Sequence, residues 1–215
     1  LAMVMNGHAS NYDSDLLRPL IAFSEDKLGR KYGSSDSAED VAMRVIADHA
    51  RTTAFLVADG VLPGNSTREY VLRSIMRRAI RFGEQLGFKD LFFHEPVMRV
   101  VELFGRHYGE LKAARSLLEK VVTTEEEAFR RTLKRGLELY RSTVKVSGKQ
   151  LIAGDVVFDL KATHGFPPDL TAQMAREDGL DIDWEGFKKA EATHAEVSAG
   201  DLGTTGTADL YKQLK

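Results

Sequence analysis

Five arginines and no lysine fall between positions 68 and 81: Arg68, Arg73, Arg77, Arg78 and Arg81. The guanidinium group forks onto phosphate oxygens and stacks on bases. Arg73, Arg77 and Arg81 are spaced by four, so on a helix they form one row, with Arg78 on its flank. Just ahead lies Pro63-Gly64-Asn65-Ser66, a small polar turn. An arginine row beside such a turn suits a nucleic-acid groove. A solvated helix face with no ligand carries the same pattern. Residues 44–89 hold eight Lys/Arg against four Asp/Glu, a local +4 in a chain of net −2, which leaves −6 for the rest.

Catalytic chemistry finds little footing. The six histidines (8, 49, 94, 107, 164, 194) show no metal-ligand spacing. Neither GxxxxGK[ST] nor GxGxxG occurs, so no phosphate-cradling loop is indicated. Glu125-Glu126-Glu127 is expected to pair with Arg130 and Arg131 on a helix surface. His49 falls on an apolar helix side and reads as a hydrogen-bonded core residue; His164, beside a Gly-Phe-Pro turn, reads as a local structural contact. The residue types therefore point to recognition or packing rather than to an active site.

The elements that must position these residues are helical. Ser37 and Asp40 have capping-box spacing and open a helix whose apolar side is Val41, Val45, Ile46, His49, Thr53 and Leu56, with Gly60 at its C-terminal end. Ser66 and Glu69 repeat that spacing and open the arginine helix. Its other side is apolar (Val71, Leu72, Ile75, Met76, Ala79, Leu86), and Gly87 follows it. Pro96 starts a helix with Val97, Val100, Val101 and Phe104 buried. A long helix is predicted from Leu111 to about Val144, buried through Leu118, Val122, Phe129, Leu133, Leu137 and Tyr140. The stretch 123–127, which lacks apolar residues, is a candidate break. Beyond Leu151 come a helix from Gly154-Asp155, the rigid Gly165-Phe166-Pro167-Pro168 turn, a helix capped by Asp169 and a last helix capped by Asp183. The expected fold is all-α: a helical bundle with a long connecting helix and a smaller C-terminal helical cluster. Its divisions are 1–110, 111–197 and a loose tail, 198–215.

Composition sets the outer limits. The chain has 215 residues with 43% hydrophobic and 29% charged side chains, the makeup of a globular protein. With no cysteine there are no disulfide or zinc–thiolate sites. The opening residues lack a basic region and a long apolar core, and no run reaches the length of a membrane span, so the reading is a cytoplasmic protein without a membrane partner.

Ordered motifs add a resemblance. Asn11-Tyr12-Asp13-Ser14-Asp15, Val45-Ile46-Ala47-Asp48-His49-Ala50-Arg51, Ala58-Asp59-Gly60-Val61-Leu62-Pro63-Gly64-Asn65, Arg68-Glu69-Tyr70-Val71-Leu72-Arg73, Arg77-Arg78-Ala79 and Gly165-Phe166-Pro167-Pro168-Asp169-Leu170-Thr171 resemble, in order, the alanyl-tRNA synthetase family. The resemblance covers residues 10–197. It implies a segment that follows the class II aminoacylation core and recognises the acceptor stem of tRNA(Ala). The segment would position the tRNA for a core that supplies the chemistry with ATP and Mg; it would hold no cofactor itself and be inactive alone. Its implied partners are the acceptor stem and the remainder of the synthetase chain, with no DNA. The family Asn that reads the stem's G·U pair maps to Asn65, where an amide can both donate and accept. The family Asp that reads the same pair maps to Ala162, which cannot accept a hydrogen bond; Lys161, Thr163 and Asp169 are its possible substitutes. Arg68, Arg73, Arg77, Arg78 and Arg81 are the expected phosphate contacts. A stand-alone protein-interaction module derived from the synthetase is the alternative.

Overall fold

Helix caps and apolar stripes account for where the elements begin and what they bury. The computed structural model describes residues 2–147 and 151–199. In order these form α1 (Ala2–Met5), a 3-10 turn (Asn11–Asp13), α2 (Arg18–Leu28), α3 (Ala38–Ala58), α4 (Thr67–Leu86), α5 (His94–Phe104), α6 (Gly109–Ala113), α7 (Arg115–Ser147), β1 (Leu151–Ile152), α8 (Gly154–Ala162), α9 (Pro168–Glu177), β2 (Asp181–Ile182) and α10 (Trp184–Ala199). The protein is mostly α, as its periodicity predicts. The compact units divide between Glu127 and Ala128, within α7, whereas the sequence reading divides at residue 110. The residues expected to form a tail lie outside the described residues from 200 onward; 198 and 199 complete α10.

In the first unit, α3 is the central element. Ser37 Oγ accepts from the Asp40 amide at 3.2 Å, the cap its spacing predicts. Ala42, Ile46, Ala50, Ala54 and Val57 are buried, and their small members let α4 and α5 approach closely. Val97, Val100, Val101 and Phe104 are the buried face of α5. That helix starts at His94, two residues earlier than Pro96 suggests. Gly83 of α4 makes room for the Phe92 ring, which stacks on Phe88 with centroids 4.2 Å apart.

Asp40 ties the preceding loop to α3. Its carboxylate accepts from the amides of Gly33 (3.0 Å) and Ser35 (2.8 Å) and from Ser35 Oγ (2.6 Å). Burial pushes this carboxyl up, but those hydrogen bonds and the nearby Arg44 charge outweigh it and hold the pKa below its ordinary value. A depressed folded pKa contributes stability that is complete above the unfolded value, about 4, and is lost as pH falls through the folded one. Urea midpoints of the wild type should therefore fall on acidification below about pH 4. Asp40→Asn should show a shallower fall; parallel curves would refute the assignment.

The long helix departs from expectation at both its start and its middle. Leu111 belongs to α6, and α7 begins at Arg115 after an interruption at Ala114. No break occurs at 123–127, where the helix is continuous.

The second unit is built on the latter part of α7 and the elements after it. Residues of β1 and β2 pair in parallel, Leu151 with Asp181 and Ile152 with Ile182. Asp183 Oδ1 accepts from the Gly186 amide at 2.9 Å and caps α10 as predicted. Gly154, opening α8, lies so close to Gly186 and Phe187 that a Cβ would overlap their backbone. Phe166, fully buried, occupies the space a Cβ on Gly136 would take and meets Phe129 at 5.6 Å. Asp169 is not the cap of α9: Pro167 holds that position, Pro168 opens the helix, and Asp169 lies exposed in the first turn. A proline at the first helical position needs no side-chain partner for an amide it lacks.

Candidate nucleic-acid interface

The Pro63–Asn65 turn sits at the head of α4. Pro63 and Gly64 are buried and Asn65 is exposed. The predicted Ser66–Glu69 capping box does not form: Ser66 occupies the N-cap position but its side chain makes no cap hydrogen bond. Thr67 has φ +48°, and this left-handed residue gives the turn a different exit. The Gly64 amide instead donates to the Glu69 carbonyl at 3.1 Å.

Below the turn, the arginine row reverses its expected orientation. Arg73 and Arg81 are 6% and 9% exposed, so these two positions do not face solvent. For Arg73 the reason is a buried acid on α7. Glu125 is 1% exposed and accepts from Arg77 Nε at 2.7 Å; Arg73 Nε stands 3.4 Å from its other oxygen. Arg73 also reaches the turn, donating through one terminal nitrogen to Asn65 Oδ1 and through the other to the Pro63 carbonyl at 3.3 Å. Arg81 lies over the Phe82 ring at 5.1 Å. Arg78 is half-buried and Arg68 is exposed.

The glutamates are corrected with them. The expected place on the helix surface does not describe Glu125 and Glu126, which are 1% and 0% exposed. Glu126 accepts from the amides of Phe92 (3.2 Å) and Phe93 (2.9 Å). Phe93 is the N-cap of α5, so a carboxylate from α7 serves the helix start where no local side chain does. That explains the early start of α5. The missed signal lay in the helical wheel: at 100° per residue, Glu125 and Glu126 share a sector of about 100° with Leu118, Val122, Phe129 and Leu133.

In the second unit, Lys161 is half-buried, ion-paired to Glu191 and placed 5.6 Å from the Phe187 ring centroid. Ala162 is exposed, and Thr163 Oγ1 donates to Asp159 at 2.5 Å. His164 is half-buried. His49, in the first unit, is largely buried with Nδ1 3.3 Å from Asp48. Among the described residues no group of three or more His, Asp or Glu side chains could hold a metal ion. No described helix is long and apolar enough to cross a membrane.

The family model for tRNA synthetases class II (A) matches residues 1–214. The chain belongs to the class II alanyl-tRNA synthetase family. It is 44% identical to the alanine–tRNA ligase of Acidithiobacillus ferridurans and 45% identical to that of Myxococcus xanthus, each over 100% of this chain. With the Psychromonas ingrahamii ligase it is 47% identical over 89% of the chain. It spans 25%, 24% and 21% of those three relatives, about a quarter of the whole enzyme. The match is to the class II synthetase model and does not single out a tRNA-recognition region after the core. In this synthetase segment, the exposed Asn65 and Arg68 flank a turn whose underside is locked by buried charge.

Proposed function

We propose that this chain is a segment of an alanine–tRNA ligase that recognises the acceptor stem of tRNA(Ala) and presents its 3′ end to a class II catalytic core lying outside these residues. The observation that carries the reading is the exposed Asn65 carboxamide, held from beneath by Arg73 on a turn at a helix start. A fixed amide is a base reader, and an adjacent helix N-terminus favours a phosphate. Arg68, exposed beside it, supplies a phosphate contact. Arg73 and Arg77, with their charge met by Glu125, serve as the frame of the reader. Arg78, half-buried, is the further candidate for the backbone, whereas Arg81, turned away from solvent, is not. On the second unit Asp169, the exposed carboxylate that follows the Gly-Phe-Pro turn in sequence, is the substitute for the acceptor that Ala162 lacks, and Lys161 is a donor for a phosphate. The contribution to catalysis is positioning; alanine, ATP and Mg belong to the core of the whole cytoplasmic enzyme.

A titration of the chain with an acceptor-stem RNA hairpin tests this. The comparison is a G·U against a G·C pair at the identity position, at two salt concentrations. Salt-sensitive binding that prefers G·U by about tenfold, a difference of ~1.4 kcal/mol, supports the reading. Salt-sensitive binding without preference leaves only a backbone clamp. No binding at either concentration overturns the proposal for this chain.

A further inference from the structure

We infer that Glu125 and Arg73 are positioning residues that present Asn65 to RNA as a hydrogen-bond donor. The inference deepens the acceptor-stem reading and rests on it for the ligand. Three linked contacts carry it. Glu125, buried on α7, faces both Arg73 (3.4 Å) and Arg77 (2.7 Å). Arg73 spans from that carboxylate to the turn, where it bonds the Pro63 carbonyl at 3.3 Å and Asn65 Oδ1. Asn65 itself stands exposed.

The consequence is a polarity. An asparagine amide offers two N–H donors and a carbonyl oxygen with two acceptor sites. Here the oxygen is already bonded to a guanidinium whose own charge is met by Glu125. What remains outward is chiefly the NH2 group. A donor at this place selects acceptors, and a G·U pair differs from a G·C pair in offering one more, because uracil carries the O4 oxygen where cytosine carries an amino group. It cannot serve the amino group of guanine. An unanchored amide could rotate and offer either end, so its discrimination would be poor. Arg73 is suited to the task because its planar fork reaches three partners at once, which a lysine ammonium on a flexible stem does not. Glu125 acts only through Arg73 and touches no ligand.

Two measurements decide the inference. The first needs no RNA. The Asn65 side-chain amide is assigned in a 15N–1H spectrum by its disappearance in Asn65→Ala. In the wild type it should be rigid and shifted from the exposed-amide position. In Glu125→Gln and in Arg73→Lys it should move to that position and become mobile, while the backbone amides of α3 and α4 stay dispersed. If both variants fold and leave the Asn65 amide where it was, the positioning role is wrong, whatever the RNA result.

The second measurement repeats the hairpin titration. Glu125→Gln and Arg73→Lys should bring the G·U preference to within about twofold of unity while leaving the salt dependence of affinity unchanged, because phosphate contacts are intact. Asn65→Asp keeps a partner for Arg73, removes the N–H donors and adds a negative charge that weakens binding of either pair alike, so it should lose the preference to the same extent. An Asn65→Asp variant that still prefers G·U overturns the donor assignment. Loss of preference together with loss of the salt dependence reports a collapsed site and counts against a positioning role. A wild type that binds no hairpin removes the acceptor-stem reading and the RNA part of this inference with it, leaving the amide spectrum to judge the Glu125–Arg73–Asn65 linkage alone.

Discussion

Glu125→Leu should lower the stability of this chain by about 3–5 kcal/mol. The wild-type carboxylate is 1% exposed and faces two guanidinium groups, Arg73 at 3.4 Å and Arg77 at 2.7 Å. Leucine of similar volume fills the space but leaves the buried Arg73 guanidinium without the carboxylate that faces it. An uncompensated buried charge is far costlier than the loss of one ion pair at the surface, which is worth about 0–1 kcal/mol. Urea denaturation followed by far-UV circular dichroism is the direct measurement. Adding Arg73→Met and Arg77→Met to Glu125→Leu should recover most of the loss, because an apolar replacement of the whole cluster removes the desolvation penalty along with the attraction. A single substitution that costs less than about 1 kcal/mol would mean that water hydrates the guanidinium groups as in an exposed pair.

Phe166→Ala should cost a similar amount, about 3–5 kcal/mol, through a cavity rather than a charge. The ring is fully buried, lies against Gly136 where a Cβ would overlap it, and meets Phe129 at an interplanar angle of 60°. Nothing within the Gly165-Phe166-Pro167 turn can collapse to refill that space, because Pro167 and Pro168 stiffen the chain on one side. The protein carries a single tryptophan, Trp184, which packs edge-on to Phe187 at 5.9 Å within the same unit. Its fluorescence therefore reports unfolding there, and the Phe166→Ala midpoint should shift strongly on that signal. An unshifted tryptophan transition would show that the turn is not anchored through its aromatic ring.

Much of the helical scaffold was legible because its signals are local. Ser37 caps α3, Gly87 ends α4, Asp183 caps α10, and the Val97–Phe104 stripe is the buried face of α5. Each depends on neighbours within a turn. The errors came where a distant partner overrides local chemistry. An arginine row opposite an apolar stripe reads as surface until an acid on another helix is known to meet it. The Glu125–Glu127 run reads as surface for the complementary reason, although the helical sector that Glu125 and Glu126 share with Leu118 and Phe129 was available; Glu127 is exposed as expected. Ser66 fails as a side-chain cap because Thr67 turns left-handed, which no propensity for a β-branched residue suggests. The strands β1 and β2 have two residues each, too short for alternation to register. Of the candidate site, Asn65 was reachable from motif order, and Glu125 was not, because its role exists only in three dimensions.

The cap that Glu126 provides for α5 also sets an order of events in synthesis. Phe92 and its capping acid are 34 residues apart in the chain. At translation rates of about 5–20 residues per second, the amides that open α5 wait about two to seven seconds before their partner has even been made. Until then water must serve them, and the first turn of α5 can only fray and re-form. This helix is thus completed from behind, by a segment the ribosome adds later, and slowing synthesis across residues 94–126 would prolong the one stage at which the arginine cluster and the helix start both lack their acids.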